Sequence, residues 1–375
     1  LSELRWEECY TKNLGLNFVA LDYKLNIEFD YYVRSTKNQY MENINIPSSS
    51  GFNAMNLNFG TLENEGWELS VNYTPVRNKI WNVNLAFNLA RSENRIKEIS
   101  EYAPLASGRW DTNGEYLSRV LLNQPVGAFY GYQYDGVYLN KEQTIARDKA
   151  GKPIYTVNDK GQPEPVYMRF GYPTVDYEFQ PGDARYKDLN NDGNINYQDI
   201  VYLGDYNPLF TGGLTPSIKF REFSLNTVFF FRYGGDVINE ARMRMENMSG
   251  YNNQSKSVLR RFRYEYENPA DAPADLLPRA LFGSGYNWLA SDRFVEDGSF
   301  LRWKSLTFRY NFKKEWISRF KLSELYLYFT LQNIYVWTNY TGQDPEVSIT
   351  GSSPGRDFAQ TPLPKSYTFG INFAF

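Results

Sequence analysis

The feature that most constrains this chain is the spacing of its period-two segments, because short and long connections take turns between them. Segments over 10–21, 25–34, 62–74, 81–90, 116–122, 126–138, 211–220, 223–233, 300–312, 325–331 and 366–375 alternate apolar with polar or small residues. Side chains in an extended strand point to opposite faces in turn, so each segment presents one apolar and one polar face. The connections at 22–23, 75–79, 124–125, 221–222 and 313–321 are short, and long polar ones lie between them. Short turns at one end and long loops at the other are the rule for bacterial membrane barrels. A soluble sandwich has no reason to keep that order so strictly. The expectation is an all-β fold: part of an antiparallel transmembrane β-barrel, about eleven strands, with long extracellular loops.

Individual segments sharpen this. Tyr367, Phe369, Ile371, Phe373 and Phe375 face one way, against Ser366, Thr368, Gly370, Asn372 and Ala374. In 81–90 the face opposite Trp81, Val83, Leu85, Phe87 and Leu89 is only Asn and Ala, which suits a water-filled lumen. The pattern of 300–312 slips by one residue near Lys304 and Ser305, the mark of a bulge. Residues 237–248 read as a short helix within the long excursion 234–293. The other long excursion, 140–209, reads as a loop.

Composition agrees. Aromatics are 17% of the 375 residues, yet mean hydropathy is −0.57. No apolar run approaches the roughly 18 residues of a membrane helix. A net charge of −3 gives nucleic-acid binding no electrostatic support. Histidine is absent, which removes His-based triads and the usual zinc sites, and the single cysteine, Cys9, allows no internal disulfide. The 43 acidic residues are scattered, and no pair is selected by spacing as a catalytic dyad. The chain is read as a non-enzyme.

One local motif carries recognisable chemistry. Asp188, Asn190, Asp192, Asn194 and Asp199 occupy positions one, three, five, seven and twelve of an EF-hand-type loop, with Gly193 at the sixth. Calcium is therefore a candidate cofactor. The alternative is an Asx-rich turn that needs no ion. Asp199 stands where a Glu usually closes such a loop. Among loop aromatics, Trp110, Tyr251, Tyr286 and Trp288 are candidates for stacking on substrate.

Several phrases together resemble the SusC/RagA family of TonB-dependent outer-membrane transporters. They are N-E-G-W-E-L at 64–69, Q-P-V-G-A-F-Y-G at 124–131, P-G-D at 181–183 leading into K-D-L-N-N-D-G at 187–193, G-D-Y-N-P at 204–208, V-E-D-G-S-F-L-R at 295–302, Q-N at 332–333, Y-T-G-Q-D-P-E-V at 340–347, and the last nine residues. They run in family order over essentially the whole chain. The resemblance implies the C-terminal half of a barrel of about 22 strands in the bacterial outer membrane. It also implies import of oligosaccharides or peptides, a SusD-like surface lipoprotein as partner, and energy from the TonB complex. The family's plug domain and TonB box have no counterpart in 1–375, so the chain is read as one part of one barrel domain, without the plug and N-terminal strands. In that setting Phe375 is the expected signal to the insertion machinery. Counted back from Phe375, all five short connections fall on the periplasmic side, and an odd set of strands starting outside is incomplete. The rival reading is a soluble or surface-displayed glycan-binding β protein with a dockerin-like calcium loop.

Overall fold

Nine antiparallel strands form one open sheet in the computed structural model, which describes residues 4–45, 51, 54–58, 60–99, 106–107, 112–119, 121–266, 270, 272–347 and 355–375. The strands are β1 (Glu8–Ala20), β2 (Leu25–Lys37), β3 (Gly60–Arg77), β4 (Trp81–Ile99), β5 (Phe210–Phe220), β6 (Phe223–Tyr233), β7 (Phe300–Asn311), β8 (Glu324–Thr338) and β9 (Ser366–Ala374). Each pairs with its neighbour in sequence order, so β1 and β9 are the two edges and do not meet.

The register carries the sequence alternation across the whole sheet. Leu16, Phe29, Leu69, Leu89, Gly212, Phe231, Leu301 and Trp337 line up as one row. On the opposite face Asn84, Ser217, Asn226, Thr307, Thr330 and Thr368 form another. Toward the long-loop end the apolar face passes through Tyr31 and Trp67, then to Glu65 and Glu93. At the other end it finishes on Trp81, whose ring lies tilted against Phe220 with centroids 4.3 Å apart. Aliphatic and aromatic residues share the band between, as Leu69 and Leu89 with Phe29, and Phe308 with Phe329 and Phe369. Among the described residues no element covers this face: Phe369 is 67% exposed and Ile371 58%. Lys304 is the extra residue of β7 where the register to β6 shifts, as the slipped pattern requires.

Two of the expected strands are elsewhere. Residues 116–122 and 126–138 do not join the sheet, and β4 pairs directly with β5. Ala128–Gly131 pairs with Val201–Asp205 and is buried on both faces, so its alternation serves a core and not a membrane wall. The connection at 124–125 sits at the long-loop end, where the Ile96 amide donates to the Gln124 carbonyl at 3.2 Å. Four of the five short connections therefore share one end, and the strand number in the sheet is nine. The expected helix is shorter than read: α1 spans Glu240–Glu246, capped by Asn239, while Asp236–Asn239 is a strand paired with Val295–Asp297.

The buried core lies above the sheet, in a cap made by the long connections. Tyr132, Tyr138, Phe170, Phe179, Tyr186, Ile195 and Leu289 are each at most 2% exposed and form its main cluster. Aromatic pairs hold it, such as Phe170 with Tyr286 at 4.3 Å and Tyr138 with Phe179 at 5.6 Å. The stretch 140–209, read as a loop, is thus a folded unit with its own hairpins at Tyr155–Val157/Pro163–Pro165 and Arg169–Tyr172/Val175–Glu178.

Candidate functional site

The polar face of the sheet meets the long connections at its upper end, where Arg232 donates to the Tyr206 carbonyl and Arg302 pairs with Asp344. Its middle rows are short neutral groups joined side to side, as Thr307 to Thr330 at 3.1 Å and Asn84 to Thr74 at 3.1 Å. Higher up, Glu28, Asp30, Glu68 and Lys304 line a recess of about 500 Å³ with Ser70 and Asn88. Asp30 and Glu68 are direct cross-strand partners. Two carboxylates opposite each other repel, so this pair is held by the fold and not by its own attraction.

Ion pairs fix the cap over that face, and they explain the phrases that stood out in the sequence. Asp183 of the P-G-D phrase is fully buried, accepting from Arg279 Nε at 2.7 Å, Tyr177 OH at 2.7 Å and the Gln180 amide at 2.8 Å. Gly182 has φ +90, and a Cβ there would lie 2.5 Å from the Phe262 ring, so only glycine fits. Arg302, 4% exposed, reaches from β7 to Asp344 and to Glu346 of the 340–347 phrase. Glu296 accepts from Arg242 at 2.7 Å and from the Thr341 amide at 2.8 Å. Asp183 with Arg279 and Glu296 with Thr341 join separate long connections, Arg302 joins a connection to the sheet, and Arg242 with Glu296 ties one connection to itself. Breaking a buried pair strands a charge, so these contacts act as rivets.

The loop carrying Asp188, Asn190, Asp192, Asn194 and Asp199 is closed by its own amides. Asp188 accepts from the Asn191 and Gly193 amides at 2.7 and 2.8 Å. Asn190 Oδ1 accepts from the Asp192 amide at 3.1 Å, and Asp192 from the Asn194 amide at 2.8 Å. Asp199, fully buried, accepts from Leu189 and Asn196 amides at 2.8 and 2.9 Å. Burial pushes its carboxyl above the usual range, and those two amides pull it back. Among the described residues no group of three or more Asp, Glu, His or Cys is placed to hold a metal ion. The loop's visible role is packing. It buries Ile195 completely, and at Gly193, φ +85, an added Cβ would lie 2.8 Å from the Ala146 methyl, so glycine is required there.

The aromatic candidates divide. Trp110 lies outside the described residues. Tyr286 packs on Phe170 and Tyr177, and Trp288 packs against the cluster of Tyr116, Ile238 and Met243, so both serve the core. Tyr251 is 94% exposed and meets Phe282 at 4.9 Å. Phe282 and the recess at Glu68 and Lys304 were missed in the sequence. Their neighbours there are distant in the chain, and no local pattern marks them. Phe375 is 85% exposed beside Ser323, whose hydroxyl donates to the Phe375 carbonyl.

No family model matches the chain. It is 27% identical over 383 residues to TonB-dependent receptor P3 of Formosa agariphila, covering 99% of this chain and 34% of that protein. It is 25% identical to the TonB-dependent receptor SusC of Bacteroides thetaiotaomicron, covering 99% and 32%. Among solved structures, the RagAB peptide importer in its closed-closed state superposes with a TM-score of 0.71 at 22% identity, over all of this chain and 36% of that one. The open-open state gives 0.68. The chain therefore spans about a third of the length of the relatives it matches. The resemblance to SusC/RagA-type TonB-dependent transporters is borne out along 99% of this chain.

Proposed function

We propose that this chain supplies nine strands and the outer cap of a TonB-energised importer in the bacterial outer membrane, taking up oligosaccharides or peptides with a SusD-like surface lipoprotein. The single observation that carries the reading is the inverted sheet: its apolar face is uncovered over nine strands, while the buried core sits in the cap. In water such a face would be a continuous aggregation surface. Against hydrocarbon it is the stable arrangement. The named relatives support the import class, and the open edges β1 and β9 support a barrel completed by further strands, because unpaired backbone groups in lipid cost several kcal/mol each. In this reading the polar face borders the conduit, and Tyr251 stands on the outer surface as a substrate contact. The exposed Phe375 side chain acts in assembly and not in packing.

The loop at 188–199 works in this reading as a turn closed by its own amides, which supports a structural role without an ion. Calorimetric titration with calcium before and after Asp188→Ala reads this: equal heats agree with it, and saturable heat lost in the variant contradicts it. The import reading itself is tested by fractionation. A barrel part stays with membranes through carbonate extraction and leaves only in detergent. Recovery as a monodisperse protein in detergent-free buffer would favour the soluble glycan-binding reading.

A further inference from the structure

At the short-turn end the polar face closes into a basic cup of about 700 Å³. Lys219, Arg221, Arg309, Lys313 and Lys314 line it, against two carboxylates, Glu222 and Glu315. The register places Lys219, Ser224 and Arg309 in one row on the polar face, and Asn226 in the next but one. The connector after β7, which carries α2 (Lys314–Ile317), folds beneath them. Three cations have a partner: Arg309 has Glu324 at 2.9 Å and the Tyr326 ring at 3.4 Å, Lys313 has Glu222 at 3.6 Å, and Arg221 lies over the Phe220 ring at 5.5 Å. Lys219, Arg221 and Lys314 form no ion pair among the described residues.

Uncompensated cations converging on one recess repel one another, and a multivalent anion relieves that repulsion while filling the donors. The next row of the polar face is Asn, Ser and Thr, and its upper recess is acidic. We propose that this cup is a binding site for an oxyanion group, carboxylate or phosphate, at the short-turn end of the polar face. It rests on the import reading only in placing the site where a ligand would leave the conduit. The binding itself does not depend on transport. The same chemistry comes from two sources, an anionic group on a soluble ligand or a phospholipid headgroup.

The test uses the chain in zwitterionic detergent micelles, or in plain buffer if fractionation shows it soluble. Inorganic pyrophosphate and citrate are titrated calorimetrically at low and high salt. Saturable binding is expected, weakening as salt rises. Lys219→Gln with Lys314→Gln should weaken it about tenfold, about 1.4 kcal/mol. Both side chains are exposed, so the fold should survive, and circular dichroism checks that. Lys149→Gln, an exposed lysine of the cap, should leave binding unchanged. Micelles doped with phosphatidylglycerol then separate the sources. Competition with pyrophosphate that vanishes in the double variant assigns the site to headgroups, and its absence assigns it to a soluble ligand. No saturable binding, or equal binding in the folded double variant, overturns the proposal.

Discussion

The sheet and the cap obey opposite codes within one chain. In the cap, Phe170, Phe179 and Ile195 are fully buried and charges such as Asp183 are paired inside, as in any water-soluble domain. In the sheet, Phe308, Phe329 and Phe369 are 43%, 41% and 67% exposed, while Asn226, Thr307 and Thr330 form a row on the opposite face. The difference teaches that solvent, not residue type, decides which face is the inside. Each long connection leaves the sheet and returns to it, so the chain changes code each time it passes the row of Tyr31 and Trp67.

The largest expected effect falls on the cap. Phe170→Ala removes a fully buried ring that touches Tyr132, Tyr172 and Tyr286, and should cost about 3–5 kcal/mol. Hydrogen exchange should show the loss in 128–200 with the sheet amides still protected. Equal loss in both regions would mean that they are not separate units.

Next comes the sheet. Phe308→Arg places a charge on the apolar face and should cost about 2–4 kcal/mol in a bilayer, read by urea titration in vesicles. Thr307→Arg, one residue away on the polar face, should cost well under about 1 kcal/mol by the same reading. In the cap the rule reverses, and an exposed position such as Lys149 tolerates any polar residue.

A smaller effect is set by pH. Asp236 lies beside Asp205, Asp297 and Arg232 at the base of the cap, and burial pushes its carboxyl up to about 6. The folded value is then above the unfolded one near 4, so the folded state binds the proton more tightly. Its stabilising contribution is present at low pH and is lost as pH rises from about 4 through about 6. Asp236→Asn should flatten that slope and leave the cap more stable at pH 7, on the order of 1–2 kcal/mol, read by thermal unfolding across pH.

The smallest stability effect belongs to Phe375. It is 85% exposed, so Phe375→Ala should change unfolding by less than about 0.5 kcal/mol. The amount reaching the outer membrane should fall all the same. Unchanged membrane levels would remove it from assembly.

The nine sheet strands were legible because each keeps period two over most of its length, and the break at Lys304 was legible as a slip in that pattern. The segments 116–122 and 126–138 misled because period two says only that a strand has two faces. Tyr116, Phe129 and Tyr130 meet protein on both, and nothing local tells that from lipid. The cap was illegible for a different reason. Asp183 and Arg279 are 96 residues apart, and Arg302 and Asp344 are 42 apart. Their partners are chosen by the fold of several connections together. The loop at 188–199 was legible as an ordered turn, but its burial of Ile195 follows from Ala146 and Phe170 closing around it.

The measurement that meets the central claim most directly is a spin-label scan along β7 in lipid vesicles, with Cys9→Ser as background and one cysteine at a time from 305 to 310. Collision with oxygen, which partitions into hydrocarbon, is compared with collision with a water-soluble nickel chelate. The account predicts alternation: labels at 306, 308 and 310 favour oxygen, and labels at 305, 307 and 309 favour the chelate. Chelate access at all six positions would place both faces in water and contradict a membrane wall.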